Sequence, residues 1–104
     1  MFAVVRPWPV IVPVEVMVTP EVARRWLASS LQTSTDEHRL ERLRAALTSG
    51  SWNADRHRPD PVKLYRGELI TGNHRLRAVL DTGLAAPMWV KFVPEEEPVD
   101  VADG

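Results

Sequence analysis

The sequence predicts one small domain of mixed helices and strands, on three observations. Residues 9–18 are rich in β-branched side chains and contain two prolines, which favours a strand at a sheet edge. Residues 19–30 and 36–50 carry apolar side chains at helical spacing. Gly72 separates an apolar strand end from a third amphipathic segment. At 104 residues the chain has the length of about one domain.

The first two helices have recognisable start signals. Thr19 is the predicted N-cap of the first helix, with Pro20 at its first position, and Asp36 is the predicted N-cap of the second. Apolar spacing predicts the buried faces, formed by Val22, Ala23, Trp26 and Leu27 and by Leu40, Leu43 and Leu47. The remaining positions of the second helix alternate in charge and predict a solvated face without an assigned function, at Arg39, Glu41, Arg42 and Arg44.

A loop and a hairpin follow the second helix. Residues 50–61 lack periodicity and are expected to form the loop. Arg66 and Gly67 are the predicted turn between short strands at 61–65 and 68–71.

The last two elements are a helix and a strand. The helix is expected from Asn73 to near Asp81, with Gly83 as its C-terminal cap and Pro87 as the stop. Residues 88–93 alternate in polarity and predict the final strand.

The composition excludes several kinds of site. No cysteine is present, which excludes disulfides, thiolate metal sites and thiol nucleophiles, and the three histidines show no metal-ligand spacing. The formal net charge is −1, but five of the 14 acidic residues lie in the last ten positions, leaving nine acidic against 13 basic residues before them. This mildly basic body falls far short of the basic stripe of a protein that binds duplex DNA alone. Arg6 and several prolines interrupt the apolar N-terminus before the roughly 18 residues that a membrane span needs, so we expect a cytoplasmic protein without membrane association.

The junction at Gly72 is the main candidate site. Glycine permits a sharp turn, after which the backbone N–H groups of Asn73, His74 and Arg75 are the unpaired donors of a helix start. The helix dipole adds partial positive charge, and the side chains of Arg75 and His74 bring donors suited to phosphate oxygens. A glycine before an amphipathic helix is also common without a ligand, so a phosphate site and a purely structural helix start both stay open.

The loop before the hairpin adds further candidates. Arg56, His57 and Arg58 form a small basic cluster, and Asp60 directly precedes a strand. A loop of this composition can bend over a ligand at the turn, where Arg56 and Arg58 would bind phosphates. Asp60, or Glu68 in the hairpin, would then act as a base or a magnesium ligand. Ordinary surface solvation explains the same residues.

The segment Gly72-Asn73-His74-Arg75 after a strand resembles the GxxR box of the ParB/sulfiredoxin superfamily. The similarity is greatest to the small phage and actinobacterial ParB-like proteins. It extends over roughly residues 9–93, because further segments match that subgroup in the same order: TPEVARRWL at 19–27, SGSW at 49–52, DPVKL at 60–64 and TGLAAP at 82–87. One departure is Thr71, where related chains often carry Asp. If that Asp holds a metal in relatives, Thr71 cannot do the same.

The resemblance implies an α+β fold, a small ParB/sulfiredoxin-like domain with a short mixed sheet, three helices and a GxxR strand-to-helix turn. We expect it to occupy residues 1–93, followed by an acidic, disordered tail at residues 94–104. In that family the box binds the phosphates of a nucleotide, so the implied ligand is a nucleoside di- or triphosphate, CTP or ATP-like, with or without Mg²⁺. The implied partners are this nucleotide and, in a DNA-related process of a phage or mobile element, DNA or a DNA-associated protein, with a homodimer as one candidate assembly.

Members of the superfamily carry out different reactions on this fold, so the fold alone does not fix the activity. Sulfiredoxin chemistry requires a cysteine where this chain has Asn73, which excludes that reaction. We also expect no clamp formation of the partition type, because only about twenty residues follow the third helix.

Three functions stay open at the level of the sequence. The leading one is a binding module for a nucleotide or phosphate. The second is a small metal-dependent phosphoryl-transfer enzyme, a nucleotide hydrolase, kinase or nuclease, with Asp60 and Glu68 as catalytic residues. The third is a protein-interaction factor with a degenerate nucleotide site, which would bind its partner through Trp52 or through Phe2 and Trp8.

Overall fold

Residues 12–30 and 35–93 are described by a computed structural model of the protein, and they form an α+β domain. The elements of this part of the chain are β1 (Val14–Val18), α1 (Pro20–Ala28), α2 (Glu37–Ser49), β2 (Val62–Tyr65), β3 (Glu68–Thr71), α3 (Asn73–Thr82) and β4 (Ala86–Val93). A 3₁₀ turn at Ala54–His57 lies between α2 and β2. The predicted combination of three helices with a short mixed sheet is confirmed.

The four strands form one sheet in the order β1-β4-β2-β3. β4 pairs antiparallel with β1 and parallel with β2, so it lies inside the sheet. β2 and β3 are the two arms of the predicted hairpin, and its turn passes through Arg66 and Gly67 at φ values of 55° and 80°. Two consecutive positive φ values are typical of the turn whose twist matches that of the flanking strands.

Both predicted N-caps are confirmed. Oγ1 of Thr19 accepts a hydrogen bond from the backbone N–H of Val22 at 3.2 Å. Oδ1 of Asp36 accepts from the N–H groups of His38 and Arg39 at 3.1 and 3.2 Å. These bonds, above all the one from Arg39, lower the pKa of Asp36. Each cap satisfies donors that the first turn of a helix leaves without partners.

Two details differ from the sequence prediction. The loop before β2 contains the 3₁₀ turn, which forms because Oδ1 of Asn53 accepts from the N–H of Asp55 at 3.0 Å and caps it. Pro87 does not act as the stop of α3, which ends at Gly83. It lies inside β4, opposite Met17 of β1.

The core lies between the sheet and the helices, and α3 is at its centre. α3 packs against both α1 and α2. Its buried side chains meet those of the strands in a single cluster, which includes Leu76, Val79, Val62, Leu64, Met88 and Val90. The predicted helix faces are confirmed: Ala23, Leu40 and Leu47 are buried, and Val22, Trp26, Leu27 and Leu43 pack around them partly buried. The first turn of α3 is therefore held by neighbours on several sides.

No described helix has the length and apolar character needed to cross a membrane. The predicted acidic tail at 94–104 lies outside the described residues, and so do Phe2 and Trp8. The predicted domain boundary at residue 93 stays a prediction.

Candidate functional site

The strand-to-helix turn between β3 and α3 depends on Gly72. Its φ is 111°, and a Cβ atom at this position would lie 2.8 Å from Cγ2 of Val62 in β2. Glycine is therefore required both for the backbone conformation and for the space. No side chain of residues 12–30 or 35–93 caps the first turn of α3. The N–H donors of this helix start are thus not used by a cap, in contrast to those of α1 and α2.

Arg75 follows in that first turn and is buried. Only 3% of the residue is exposed. Its Nη2 atom lies 3.9 Å from Oδ2 of Asp60, and its buried Nη1 atom has no hydrogen-bond partner among the described residues. Burial lowers the pKa of Arg75; Asp60 opposes this shift and Arg39 adds to it. Burying a guanidinium costs free energy when so few acceptors and negative charges surround it. Arg75 is therefore the leading candidate for binding an anion.

Arg75 lines a cleft at the start of α3, called here the α3 cleft. The cleft has a volume of about 220 Å³, and its lining includes Arg39, Asp60, Thr71, Gly72, His74 and Arg75. Oγ1 of Thr71 is buried and has no hydrogen-bond partner among the described residues. An uncapped helix start, a hydroxyl and a guanidinium are groups that bind oxyanions. The structure therefore brings together the predicted residues Gly72, Asn73, His74 and Arg75, with Asp60 beside them.

The side chains of Asn73 and His74 are used inside the fold. Nδ2 of Asn73 donates to Oγ of Ser30, just after α1, at 3.2 Å. Nε2 of His74 accepts from the backbone N–H of Asp36, the N-cap of α2, at 2.9 Å. Because Nε2 accepts, the neutral ring carries its proton on Nδ1. These two side chains hold α3 to its neighbours, and the groups that they leave for an anion are backbone N–H groups and the Nδ1–H of His74.

Arg75 also lines a second, larger cleft, called here the α2 cleft. It has a volume of about 360 Å³, and its lining includes Arg39, Arg42, Trp52, Arg56, His57 and Arg75. No carboxylate is among its lining residues in the described part of the chain. The predicted phosphate ligand Arg56 therefore lies in this cleft and not in the α3 cleft.

His57 lines the α2 cleft together with its arginines. Its Nδ1 atom is buried and has no hydrogen-bond partner among the described residues. Burial lowers the pKa of His57, and Arg75, Arg39 and Arg56 lower it further while Asp60 opposes them. These surroundings favour the neutral form of the imidazole.

Two predicted site residues lie away from both clefts. The guanidinium of Arg58 lies over the ring of Trp89, 4.3 Å from its centroid, in a cation–π contact. Glu68 begins β3 opposite Tyr65, at the end of the strand remote from Thr71. The structure thus places Asp60 beside Arg75 but does not bring Glu68 to it. Across the described ranges, no group of three or more His, Asp or Glu side chains is placed to hold a metal ion.

Trp52, the predicted partner-binding residue, is half-buried and packs against the core. Its Nε1–H donates to the backbone oxygen of Pro87 at 2.9 Å. Its ring centroid lies 5.2 Å from that of His57. Trp52 therefore supports the α2 cleft from inside the domain.

Sequence reasoning missed three site residues, Arg39, Arg42 and Thr71. Both arginines are exposed, as predicted for a solvated face, but they also line the clefts. A signal was present in their spacing: Arg39, Arg42 and Ala46 recur on one side of α2, next to its buried leucines, and all three line the α2 cleft. The hydroxyl of Thr71 carried no signal of its own, because only the folded chain buries it and places Thr71 in the lining of the α3 cleft.

Comparisons of the chain with protein-family models, with curated proteins and with solved structures found no match. The ParB/sulfiredoxin resemblance therefore rests on the motif and on the order of its neighbouring segments.

Proposed function

We propose that the protein is a nucleotide- or phosphate-binding module of the ParB-like kind and that the α3 cleft is its anion site. The main support for this proposal is that Arg75 is buried without a full set of hydrogen-bond partners in the described part of the chain. Its guanidinium is buried at an uncapped helix start, with Nη1 unpartnered among the described residues. Buried donors are almost always satisfied in folded proteins, and a phosphate oxygen is the acceptor best matched to a guanidinium beside backbone N–H groups.

The neighbouring groups define how a phosphate would be held. The backbone N–H groups of the first turn of α3 would donate to its oxygens together with Arg75. Oγ1 of Thr71, which lacks a partner among the described residues, would add a further donor. Gly72 presents no side chain at the turn, so the ligand can approach the backbone closely. The chain thus offers donors of three chemical types to one oxyanion.

Binding is favoured over phosphoryl transfer because the described lining of the α3 cleft contains a single carboxylate, Asp60. One carboxylate suffices for a Mg²⁺ ion that is bound mainly through the phosphates and water. Hydrolysis with two metal ions would need further convergent carboxylates, and Glu68 does not line the cleft. Asp60 is therefore assigned to ligand or magnesium binding and not to a catalytic pair.

Titration calorimetry with CTP, ATP, GTP and ADP, with and without magnesium, tests the proposal. We expect saturable binding that Arg75→Met weakens by about tenfold or more, because a charge-assisted hydrogen bond is lost. Arg24→Met is the matched control, because Arg24 is exposed on α1 and lines neither cleft. Wild-type protein that binds none of these nucleotides, and does not bind phosphate by NMR either, would refute the proposal.

Asp60→Asn separates binding from catalysis. In a binding module measured without magnesium, this change strengthens phosphate binding by a few fold, because a negative charge beside the anion is removed. Nucleotide turnover by the wild type that disappears in Asp60→Asn, while binding survives, would instead establish the phosphoryl-transfer enzyme.

A further inference from the structure

Arg39 and Arg75 line both the α3 cleft and the α2 cleft. Arg75 is the buried one of the two: its Nη2 atom lies 3.9 Å from Oδ2 of Asp60, and its Nη1 atom is unpartnered among the described residues. A guanidinium has five donors in a planar fork and can serve two acceptors on different edges. The two clefts are therefore joined through a common cation.

α2 contains carboxylates, but they do not pair with the arginines that line the α2 cleft. Arg44 of the same helix pairs with Glu41 and Asp81 at 2.8 Å each, and Glu37 lies 3.8 Å away. Arg39 and Arg42 form no ion pair among the described residues. The helix thus uses its acidic residues on the side that meets α3 and leaves uncompensated positive charge on the side that lines the cleft.

The opposite wall of the α2 cleft adds charge and an unpartnered polar group. Arg56 of the 3₁₀ turn lines the cleft without an ion pair in the described chain. His57 places a buried Nδ1 atom there without a hydrogen-bond partner among the described residues. Four arginines around a cleft of about 360 Å³ with no carboxylate in its described lining repel one another. An anion in the cleft would relieve that repulsion.

We propose that the α2 cleft is a second anion subsite, and that the ligand of this protein carries at least two linked phosphate groups, one in each cleft with Arg75 between them. This inference rests on the proposed function, because the first phosphate is the one in the α3 cleft. A single phosphate would leave the α2 arginines uncompensated and is the weaker ligand. The class of ligand is a linked polyphosphate or a phosphodiester chain.

The test compares inorganic phosphate with inorganic tripolyphosphate. Binding of phosphate is followed by ¹⁵N NMR at the amides of Asn73 and His74, and binding of tripolyphosphate by calorimetry. The double variant Arg42→Gln/Arg56→Gln removes two charges that line only the α2 cleft. The matched control is Arg24→Gln/Arg77→Gln, which removes two exposed helix charges that line neither cleft.

We expect the double variant to weaken tripolyphosphate binding by about tenfold or more and to leave phosphate binding within about twofold of wild type. The control should change both affinities by less than about threefold, because solvent and salt screen exposed charges that do not line a cleft. The second subsite is overturned if the two double variants weaken tripolyphosphate binding equally. In that case phosphate binding that still depends on Arg75 would leave the proposed function standing.

The opposite failure is also distinguishable. If phosphate produces no shifts at Asn73 and His74, while tripolyphosphate binding depends on Arg42 and Arg56, the α3 anion site fails and the linked-phosphate proposal fails with it, because only the α2 cleft then binds. Circular dichroism and the thermal midpoint of each variant show whether a loss of binding reflects unfolding.

Two further ligands identify the source of the linked phosphates. CTP supplies a polyphosphate, and a short oligothymidylate supplies phosphodiesters. A selective loss of CTP binding in Arg42→Gln/Arg56→Gln supports the proposal with a nucleotide as the ligand. A selective loss of oligothymidylate binding supports it with a single strand as the ligand, whose affinity should fall with rising salt. The proposal is overturned if Arg24→Gln/Arg77→Gln weakens the binding of both ligands as much as Arg42→Gln/Arg56→Gln does.

Discussion

Nη2 of Arg75 and Oδ2 of Asp60 lie 3.9 Å apart, close enough for attraction between charges and too far for a hydrogen bond. The two partners differ strongly in environment, because the side chain of Arg75 is 4% exposed and that of Asp60 is 68% exposed. Water therefore solvates the carboxylate well and the guanidinium hardly at all. This incomplete ion pair leaves the guanidinium of Arg75 without full charge compensation inside the described part of the fold, which is the basis of the anion site proposed above.

The first prediction concerns the stability of Arg75→Met. Methionine fills a similar space without burying a charge, so we expect the free energy of unfolding to stay the same or to rise by up to about 2 kcal/mol. The measurement is urea denaturation of the ligand-free protein. Breaking a satisfied buried ion pair would instead cost about 3–5 kcal/mol, and a loss of that size would show that Arg75 is a structural residue.

The second prediction concerns Gly72. Gly72→Ala adds a Cβ that would meet Val62 at 2.8 Å on a backbone with φ of 111°, and we expect it to lower the free energy of unfolding by about 2–4 kcal/mol. Gly67→Ala is the control, because Gly67 also has a positive φ but no atom lies within 4 Å of its added Cβ. It should cost only about 1 kcal/mol. Equal losses in the two variants would mean that the contact with Val62 is unimportant.

The third prediction concerns the pH dependence that Asp36 confers. Its pKa is lowered in the folded protein, mainly by the hydrogen bond from the N–H of Arg39. A lowered folded-state pKa gives stability that is fully present above the unfolded value of about 3.9 and is lost as the pH falls through the folded value. Asp36→Ala should therefore lower stability at pH 7 and make little difference once the wild-type carboxylate is protonated.

Asp36→Asn serves as the control for this prediction, since asparagine caps helices without titrating. Its stability should follow that of the wild type near neutral pH and should lack the carboxylate's contribution to the acid slope. Urea midpoints measured across the acid range provide the comparison. A difference between wild type and Asp36→Ala that persists unchanged at the lowest pH would contradict the assignment of the cap to the ionised side chain.

The fourth prediction concerns His57. Burial lowers the pKa of His57, and Arg75, Arg39 and Arg56 act in the same direction while Asp60 opposes them. The unfolded chain consequently binds this proton more readily, and stability falls as the pH drops below about 6.5 through the lowered folded value. Imidazole NMR titration should place the pKa of His57 below about 6.5 in the ligand-free protein.

Anion binding should reverse that shift. A phosphate in the α2 cleft favours the protonated ring, so saturating tripolyphosphate raises the pKa of His57 and tightens binding at lower pH. His38, exposed on α2 and outside the lining of both clefts, is the internal reference in the same spectra. A titration curve of His57 that tripolyphosphate leaves unchanged would show that no anion enters the cleft.

Features that depend on residues close together in the sequence could be predicted without a structure. The caps at Thr19 and Asp36 and the turn at Arg66-Gly67 each depend on residues only a few positions apart, and all three were predicted correctly. The need for glycine at position 72 was also predicted, although the clash with Val62 that enforces it was not. That clash joins residues ten positions apart, one in β2 and the other at the N-cap of α3.

The positions of the arginine side chains in the folded protein could not be predicted in the same way. The alternating arginines of α2 predicted a solvated face, and residue type and charge alone do not distinguish Arg44, which pairs with Asp81 on α3, from Arg42, which lines a cleft. The basic loop likewise divides only in the folded chain: Arg56 lines the α2 cleft, whereas Arg58 covers Trp89.

The sequence by itself determined the helices, the hairpin and the glycine turn, because hydrogen bonds and backbone preferences within a few residues decide them. Only the tertiary structure decided that Arg75 is buried, that Asp60 stays 3.9 Å from it and that Arg39 belongs to both clefts. Burial and the distance between charges depend on how α2, α3 and the loop pack together. Patterns of residues close together in the sequence do not predict that packing.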